Sequence, residues 1–344
     1  MSLTRREFAA MLVGAAGGSV VPFAFRLRNE TGRRSPGPAL SLSLSPEETH
    51  FRWLQVSDRV RIAQGSGGNS LLYLGDANAL VADSKNFGLG RTLRREAEAY
   101  GVRVTQLVNT HHHGDHSGGN DGFSEAVRLA HRNAEPRIVE TAAASLEYGE
   151  EALSALKSRL AGSRGSDRVT ADVEEMTMEL AGLAPGDFGP TQTFADQREL
   201  SIDGRPAHLH HVSAGHTDGD AFLLLPQENV LHCGDLFFHG RHPYVDITAK
   251  ATPAGWIRCV DAMLELCDDD TVVVPGHGPL SDRAGLAAQR DYFVRLQTAV
   301  QRGLAEGRSR EEIQAVEIPE LRHLDGGRPY LARNLGIVHD EITA

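Results

Sequence analysis

Seven side chains of metal-ligand type recur along this chain beside glycines at the ends of apolar runs: His111, His113, Asp115, His116, His216, Asp235 and His277. They can serve one site only if several distant strand ends meet at one edge, so they demand a sheet scaffold whose loops carry the chemistry. The densest stretch is Asn109-Thr110-His111-His112-His113-Gly114-Asp115-His116-Ser117-Gly118-Gly119-Asn120, just past the strand-like run Val104 to Asn109. In an extended segment, side chains two apart share a face, so His111 and His113 can reach one cation while His112 points the other way. Gly114 permits a sharp turn. Beyond it Asp115 and His116 are displaced far enough to serve a second cation, and two-metal sites hold their ions about 3.5–4 Å apart.

The remaining ligand candidates stand in Ala214-Gly215-His216-Thr217, Cys233-Gly234-Asp235 and Pro275-Gly276-His277-Gly278. One histidine near a glycine is ordinarily a hydrogen-bonded structural residue; the recurrence is what points to a metal centre. His131, His208, His210, His211 and His232 are expected in packing, on the surface, or holding the outer ring nitrogen of a ligating histidine.

Between the motifs, short apolar runs broken by turn residues predict strands at Val60 to Ala63, Ser70 to Leu74, Ala79 to Asp83, Ala207 to Val212, Ala221 to Leu225, Val230 to Cys233 and Thr271 to Val274, with ordered structure starting near Trp53. Helices are expected over about 88–100, from the Thr252-Pro253 cap to Cys267, and along Phe293, Leu296, Val300 and Leu304, with a capping box at Ser309 and Glu312 opening another. Residues 142–186 break the alternation. Leu153, Leu156 and Leu160, then Val173, Met176, Leu180 and Leu183, recur at helical spacing on either side of a Gly-Ser-Arg-Gly-Ser loop, which predicts a helical insertion. The boundaries read as a signal over 1–26, a flexible leader over 27–50, a catalytic domain over 51–290 and a helical extension over 291–344.

The order His-x-His-x-Asp-His, Gly-His-Thr, Gly-Asp, Pro-Gly-His-Gly closely resembles the metallo-β-lactamase superfamily over about residues 55–290. The resemblance implies an α/β fold: a four-layer αβ/βα sandwich of two mixed sheets face to face, helices outside and metals at one edge. It implies further that His111, His113 and His216 hold one zinc, that Asp115, His116 and His277 hold the other, and that Asp235 bridges them. Asn69, Asp83 and Asp220 match structural positions around such sites. Nitrogen and oxygen donors of this kind suit zinc first, and iron or manganese are also compatible.

A pair of dications lowers the pKa of water from 15.7 to about 7, which makes a nucleophile at neutral pH. The resemblance therefore implies a hydrolase acting on an acyl carbonyl (thioester, ester, lactone or β-lactam) of a small molecule, with Asp115 orienting the nucleophile and shuttling its proton. The glutathione-contact motif of glyoxalase II is not visible after Asp235, true metallo-β-lactamases lack that aspartate, and acyl-homoserine lactonases typically carry Tyr where Phe238 stands. The Gly-Asp-Leu-Phe-Phe…Arg-x-Pro-Tyr run looks most like exported glyoxalase-II-like and quinoprotein-associated hydrolases. His239, Arg241, His242 and Tyr244 follow the bridging ligand and are the candidates for substrate contact. A β-lactamase-type amide hydrolase and an iron-dependent redox enzyme are the alternative readings; a single-iron persulfide-dioxygenase pattern leaves His116 and His277 unexplained.

Formal net charge is −11, and a nucleic-acid binder needs a basic stripe to displace counterions, so nucleic-acid substrates are excluded. Thr4-Arg5-Arg6-Glu7-Phe8, a weakly apolar stretch from Ala9 to Phe25, then Arg26 and Arg28 read as a twin-arginine export signal, giving a periplasmic protein. Gly14, Gly17, Gly18 and Pro22 make the stretch a poor membrane span; membrane contact is expected only through an uncleaved signal. Cys233, Cys259 and Cys267 are an odd set without a paired framework and read as small buried hydrophobes.

Overall fold

A computed structural model describes residues 49–161 and 182–344. The expected export signal, the leader up to residue 48, and the insertion helix marked by Val173, Met176 and Leu180 lie outside the described residues.

Two sheets carry the chain. The first has seven strands in sequential order: β1 (Arg52–Gln55), β2 (Val60–Gln64), β3 (Ser70–Leu74), β4 (Asn78–Ala82), β5 (Arg103–Val108), β6 (Val127–His131) and β7 (Gln192–Phe194). It is antiparallel through β4 and parallel from β4 to β7. The parallel part needs crossovers, supplied by α1 (Gly90–Glu98) between β4 and β5 and by α3 (Ala134–Ala161) after β6; the short α2 (Gly114–Ser117) lies between β5 and β6. The second sheet has five strands in the order β12 (Val272–Val274), β11 (Val230–His232), β10 (Phe222–Leu225), β9 (Arg205–His210), β8 (Gln197–Ile202).

Period-two alternation divides the strands between layers. Leu71 and Tyr73 of β3 face an inner core shared with Leu209, Leu223 and Val230 of the second sheet. Leu72 and Leu74 face the other way, onto Leu93 and Ala97 of α1. The outer face of the second sheet, with Leu231 and Val273, is covered by α4 (Pro253–Leu266), α5 (Arg283–Ala305) and α7 (Gly327–Thr343), which bring Trp256, Phe293, Leu296 and Val338. The outcome is the expected αβ/βα sandwich. Thr252 caps α4 by accepting from the Gly255 amide at 2.9 Å, and Ser309 and Glu312 form the capping box of α6 (Arg310–Gln314).

The structure departs from the sequence-based reading in three places. β6, β7 and β8 are strands that the pattern did not reveal. Helix α3 begins at Ala134, so the expected insertion starts inside a helix that belongs to the sheet crossover. Gly114 has no left-handed φ, and the turn there is simply the start of α2. Cys233 and Cys259 are buried, Cys267 is half-buried, and all three are free.

Candidate metal centre

The site forms where β4, β5, β9, β11 and β12 end. Asp83, just past β4, sits at φ +66°, a conformation costly for a residue with a Cβ and tolerated here because its side chain is fully engaged. It accepts from the Thr110 amide and hydroxyl, each at 2.8 Å, and lies 2.7 Å from His116 Nδ1 and 3.4 Å from His232 Nε2. It thereby fixes the His111–His116 loop to the neighbouring strand end.

Two groups of donors result. His111, His113, His216 and Asp235 place one ligand atom each within 4.8 Å of one another, and so do Asp115, His116 and His277. His216 Nε2 faces His113 Nδ1 at 2.9 Å. Asp235 lies between the groups. Its Oδ2 is 3.5 Å from His216 Nε2 and 3.8 Å from His111 Nε2, while its Oδ1 is 3.1 Å from His116 Nε2 and 3.4 Å from His277 Nε2. Asp115 Oδ2 is 3.1 Å from His277 Nε2 and 3.6 Å from His116 Nε2. All seven residues singled out in the sequence meet in one place.

Glycine makes this density attainable. A Cβ on Gly276 would strike Asp235 Oδ1, and one on Gly68 would strike the His116 ring. Asn69 holds the His277 loop by donating to the Pro275 and Gly278 carbonyls at 2.9 and 3.0 Å. Asp220 gathers the amides of Gly215, His216 and Thr217 and the Thr217 hydroxyl, so the His216 turn hangs from one carboxylate.

The donors fit divalent cations. Among the described residues, His111 Nε2 and Asp235 Oδ1 are buried without a hydrogen-bond partner. Buried ring nitrogens aimed at one another and at a shared carboxylate are costly unless a cation lies between them.

Residues 61–277 match the family model of the metallo-β-lactamase superfamily, well over half of the chain. The chain belongs to the metallo-β-lactamase superfamily. Metallo-β-lactamase type 2 proteins of Bacillus cereus and of Bacillus sp. (strain 170) are each 22% identical over 191 residues, 56% of this chain. The chain spans 58% of the length of these curated relatives. Among solved structures, the DIM-1 metallo-β-lactamase aligns with a TM-score of 0.51 at 16% identity, covering 71% of this chain and 97% of that one. A metallo-β-lactamase from Pontibacter korlensis aligns at 0.50 and 17%, covering 71% and 99%. These likenesses show the shared fold.

In this superfamily member the two donor groups differ electrically. Burial, and then the neighbouring His116, hold His111 well below the ordinary imidazole range, and burial with His113 pulls His216 down to about 3. Burial would do the same to His277, but Asp235 and Asp115 outweigh it and raise His277 to about 9. Asp235, Asp115 and Asp83 likewise raise His116 well above its usual value against burial.

The outer ring nitrogens are held as well. His111 Nδ1 lies 3.1 Å from the Thr110 hydroxyl, His216 Nδ1 donates to the Tyr244 carbonyl at 2.6 Å, and His113 Nε2 is 2.9 Å from Asp246 Oδ2. Sequence reasoning missed Asp246. Its other oxygen accepts from the Thr248 amide and hydroxyl and the Ala249 amide, so the carboxylate is fixed toward His113. His112, Asp246 and His113 also fall within 4.8 Å, but the 2.9 Å His113–Asp246 contact is a hydrogen bond that sets the ring's tautomer.

Of the four substrate-contact candidates, Tyr244 stands at the rim, 40% exposed, its ring 6.0 Å from that of His113 and 6.2 Å from that of His216. Arg241 is exposed. His239 stacks on Phe237 and bonds the Pro279 carbonyl at 2.9 Å. His242 is the correction: it is 4% exposed, with Nδ1 2.9 Å from the Tyr292 hydroxyl, and so is turned into the packing against α5. Of the histidines expected to pack, His131 stacks on His211 at 3.8 Å, His210 stacks on Phe222, and His232 is buried against Asp83. His112 is also buried.

Proposed function

We propose that the chain is an exported two-metal hydrolase, zinc-dependent by its donor set, that cleaves an acyl bond in a small molecule. Members of the superfamily are mostly metal-dependent hydrolases. The observation that carries the reading is Asp235, whose two oxygens face two different donor groups. His111, His113 and His216 would hold one ion, Asp115, His116 and His277 the other, and Asp235 both. Two dications supply a nucleophile from water near neutral pH and polarise the oxygen on which charge accumulates.

The chain's own groups do the rest. Asp115 Oδ2 faces His277 and His116, which leaves Oδ1 to orient the attacking water and accept its proton. The Tyr244 ring, beside His113 and His216, gives the acyl group an aromatic wall at the rim. His111 and His216, held neutral by burial, present lone pairs without first losing a proton. Thr4-Arg5-Arg6-Glu7-Phe8 supports export through the twin-arginine route, which carries proteins already folded and metal-loaded.

Zinc-loaded protein should hydrolyse at least one member of a panel of thioester, lactone, β-lactam and phosphodiester compounds, with preference for an acyl substrate. Asp115→Ala should lower kcat by about 10²–10⁴-fold. Turnover that survives complete metal removal, or an unchanged rate in Asp115→Ala, would overturn the mechanism.

A further inference from the structure

Helix α7 lies beyond the residues matched by the family model, and nothing in its sequence announces chemistry. Its apolar side, Leu331, Leu335 and Val338, packs into the outer core. Two neighbouring polar residues do something else. Arg333 donates from Nη2 to the Val245 carbonyl at 2.7 Å and lies over the Tyr244 ring at 4.6 Å. Asn334, fully buried, donates from Nδ2 to the Pro243 carbonyl and to the Tyr292 hydroxyl, both at 2.9 Å. The Tyr292 hydroxyl in turn meets His242 Nδ1. The strap from His242 to Asp246 is therefore gripped along its length from the C-terminal helices.

That strap supplies the outer hydrogen bonds of two imidazoles in the first donor group. Tyr244 gives its carbonyl to His216, and Asp246 gives its carboxylate to His113. The Asp246 amide also donates to the His216 carbonyl at 3.2 Å. We propose that α7 is a positioning element for the metal centre, in which Arg333 and Asn334 fix the His242–Asp246 strap and, through it, the ring planes of His113 and His216.

The inference rests on the reading that His113 and His216 hold a cation. Metal–ligand bonds tolerate deviations of only about 0.2 Å, and an imidazole whose outer nitrogen loses its partner is free to turn, which typically costs 10- to 100-fold in metal affinity. Stability is a poor account of the grip, because Asn334 is buried with its Oδ1 unpartnered among the described residues, an arrangement that costs free energy. Its consequence is geometric: it sets where Pro243 and the residues after it lie.

The test uses the full-length protein and compares wild type with Arg333→Met, which keeps a long unbranched side chain but removes the guanidinium and every donor, Arg333→Lys, which restores one donor to Val245, and Asp246→Asn. Zn²⁺ affinity is read by competition with a chromophoric chelator, the first-group environment by the visible spectrum of the Co²⁺ form, and folding by the unfolding midpoint of metal-free protein. Arg333→Met and Asp246→Asn should each weaken one of the two ions by about tenfold or more, alter the Co²⁺ bands, and leave the other ion in place; Arg333→Lys should recover part of the loss. The metal-free midpoint of Arg333→Met should stay near wild type. Wild-type affinity and spectrum in Arg333→Met would overturn the positioning role while leaving the two-metal reading intact. Loss of both ions in step with a lowered metal-free midpoint would overturn it too, by making Arg333 a fold residue only. Wild-type protein that takes up no metal would sink the two-metal reading itself.

Discussion

The two donor groups sit side by side and share Asp235, yet they are built differently. In the first, three imidazoles have their outer nitrogens engaged by Thr110, Asp246 and the Tyr244 carbonyl, and His111 and His216 are held neutral by burial. In the second, His116 is anchored by Asp83, but His277 leans on the Phe238 ring at 5.4 Å. There the carboxylates keep the imidazoles protonated, so a cation must displace protons as it binds. The difference teaches that one group holds neutral imidazoles fixed by outer hydrogen bonds, whereas the other is charged and can take a cation only as protons leave.

The largest effect should come from removing what the groups share. Asp235→Ala takes away the oxygens that face both groups, so activity should fall by about 10³-fold or more and metal content should drop below two ions per chain. Metal analysis alongside rates checks this. Two tightly held ions in Asp235→Ala would show that the groups are independent and break the comparison at its root.

A smaller effect separates the groups. Under graded chelation, the ion of the Asp115, His116 and His277 group should leave first, with an affinity about tenfold or more weaker than its neighbour's. His277→Ala should abolish only that weaker step, and His216→Ala only the tighter one. Titration of metal-loaded protein with a chelator, read by atomic absorption, decides the order. Reversal of the two steps would mean that proton competition matters less than the added carboxylate of Asp115.

The donors and the residues that hold them differ in how far the sequence discloses them. The seven donors were legible because metal chemistry restricts residue type, and because glycines stand beside them, as Gly276 does where a Cβ would strike Asp235. What holds those donors was not. Asp246 and Arg333 look like any acidic or basic surface residue, and the sequence separation of 88 between Val245 and Arg333 is closed by the packing of α7 on α4 and α5 and by no local pattern. His242 misled for the converse reason: its type and nearness to Asp235 suggested substrate contact, but the chain turns it toward Tyr292. In the fold, β2 to β5 were readable from strong apolar runs. β8 was not, because it is an edge strand in which only Ile202 is buried, and β7 has only three residues. Pairing partners, not propensity, make those segments strands.

The least effect concerns metal-free protein and tests the electrical contrast directly. His277 titrates at about 9 in the folded chain, above the ordinary 6.5, because Asp235 and Asp115 outweigh the opposing effect of burial. Folding therefore favours its protonated form, and the stabilisation is complete below about pH 6.5 and lost as pH rises through 9. His216 runs the other way. Burial and His113 hold it at about 3, so the neutral ring is the one that folds, and its contribution is present above pH 6.5 and lost as pH falls toward 3. Metal-free protein should thus be most stable near neutrality, with an alkaline decline to which His277 contributes about 3 kcal/mol and His116 adds, and an acid decline to which the first group contributes. Thermal denaturation from pH 5 to 10 should show the alkaline limb shrink in His277→Ala, which leaves the contribution of His116, and shrink in wild type on zinc loading, since a ligated imidazole has no proton left to lose. An alkaline limb equally steep in all three samples would mean that His277 is not paired with those carboxylates, and the electrical contrast between the groups would fall.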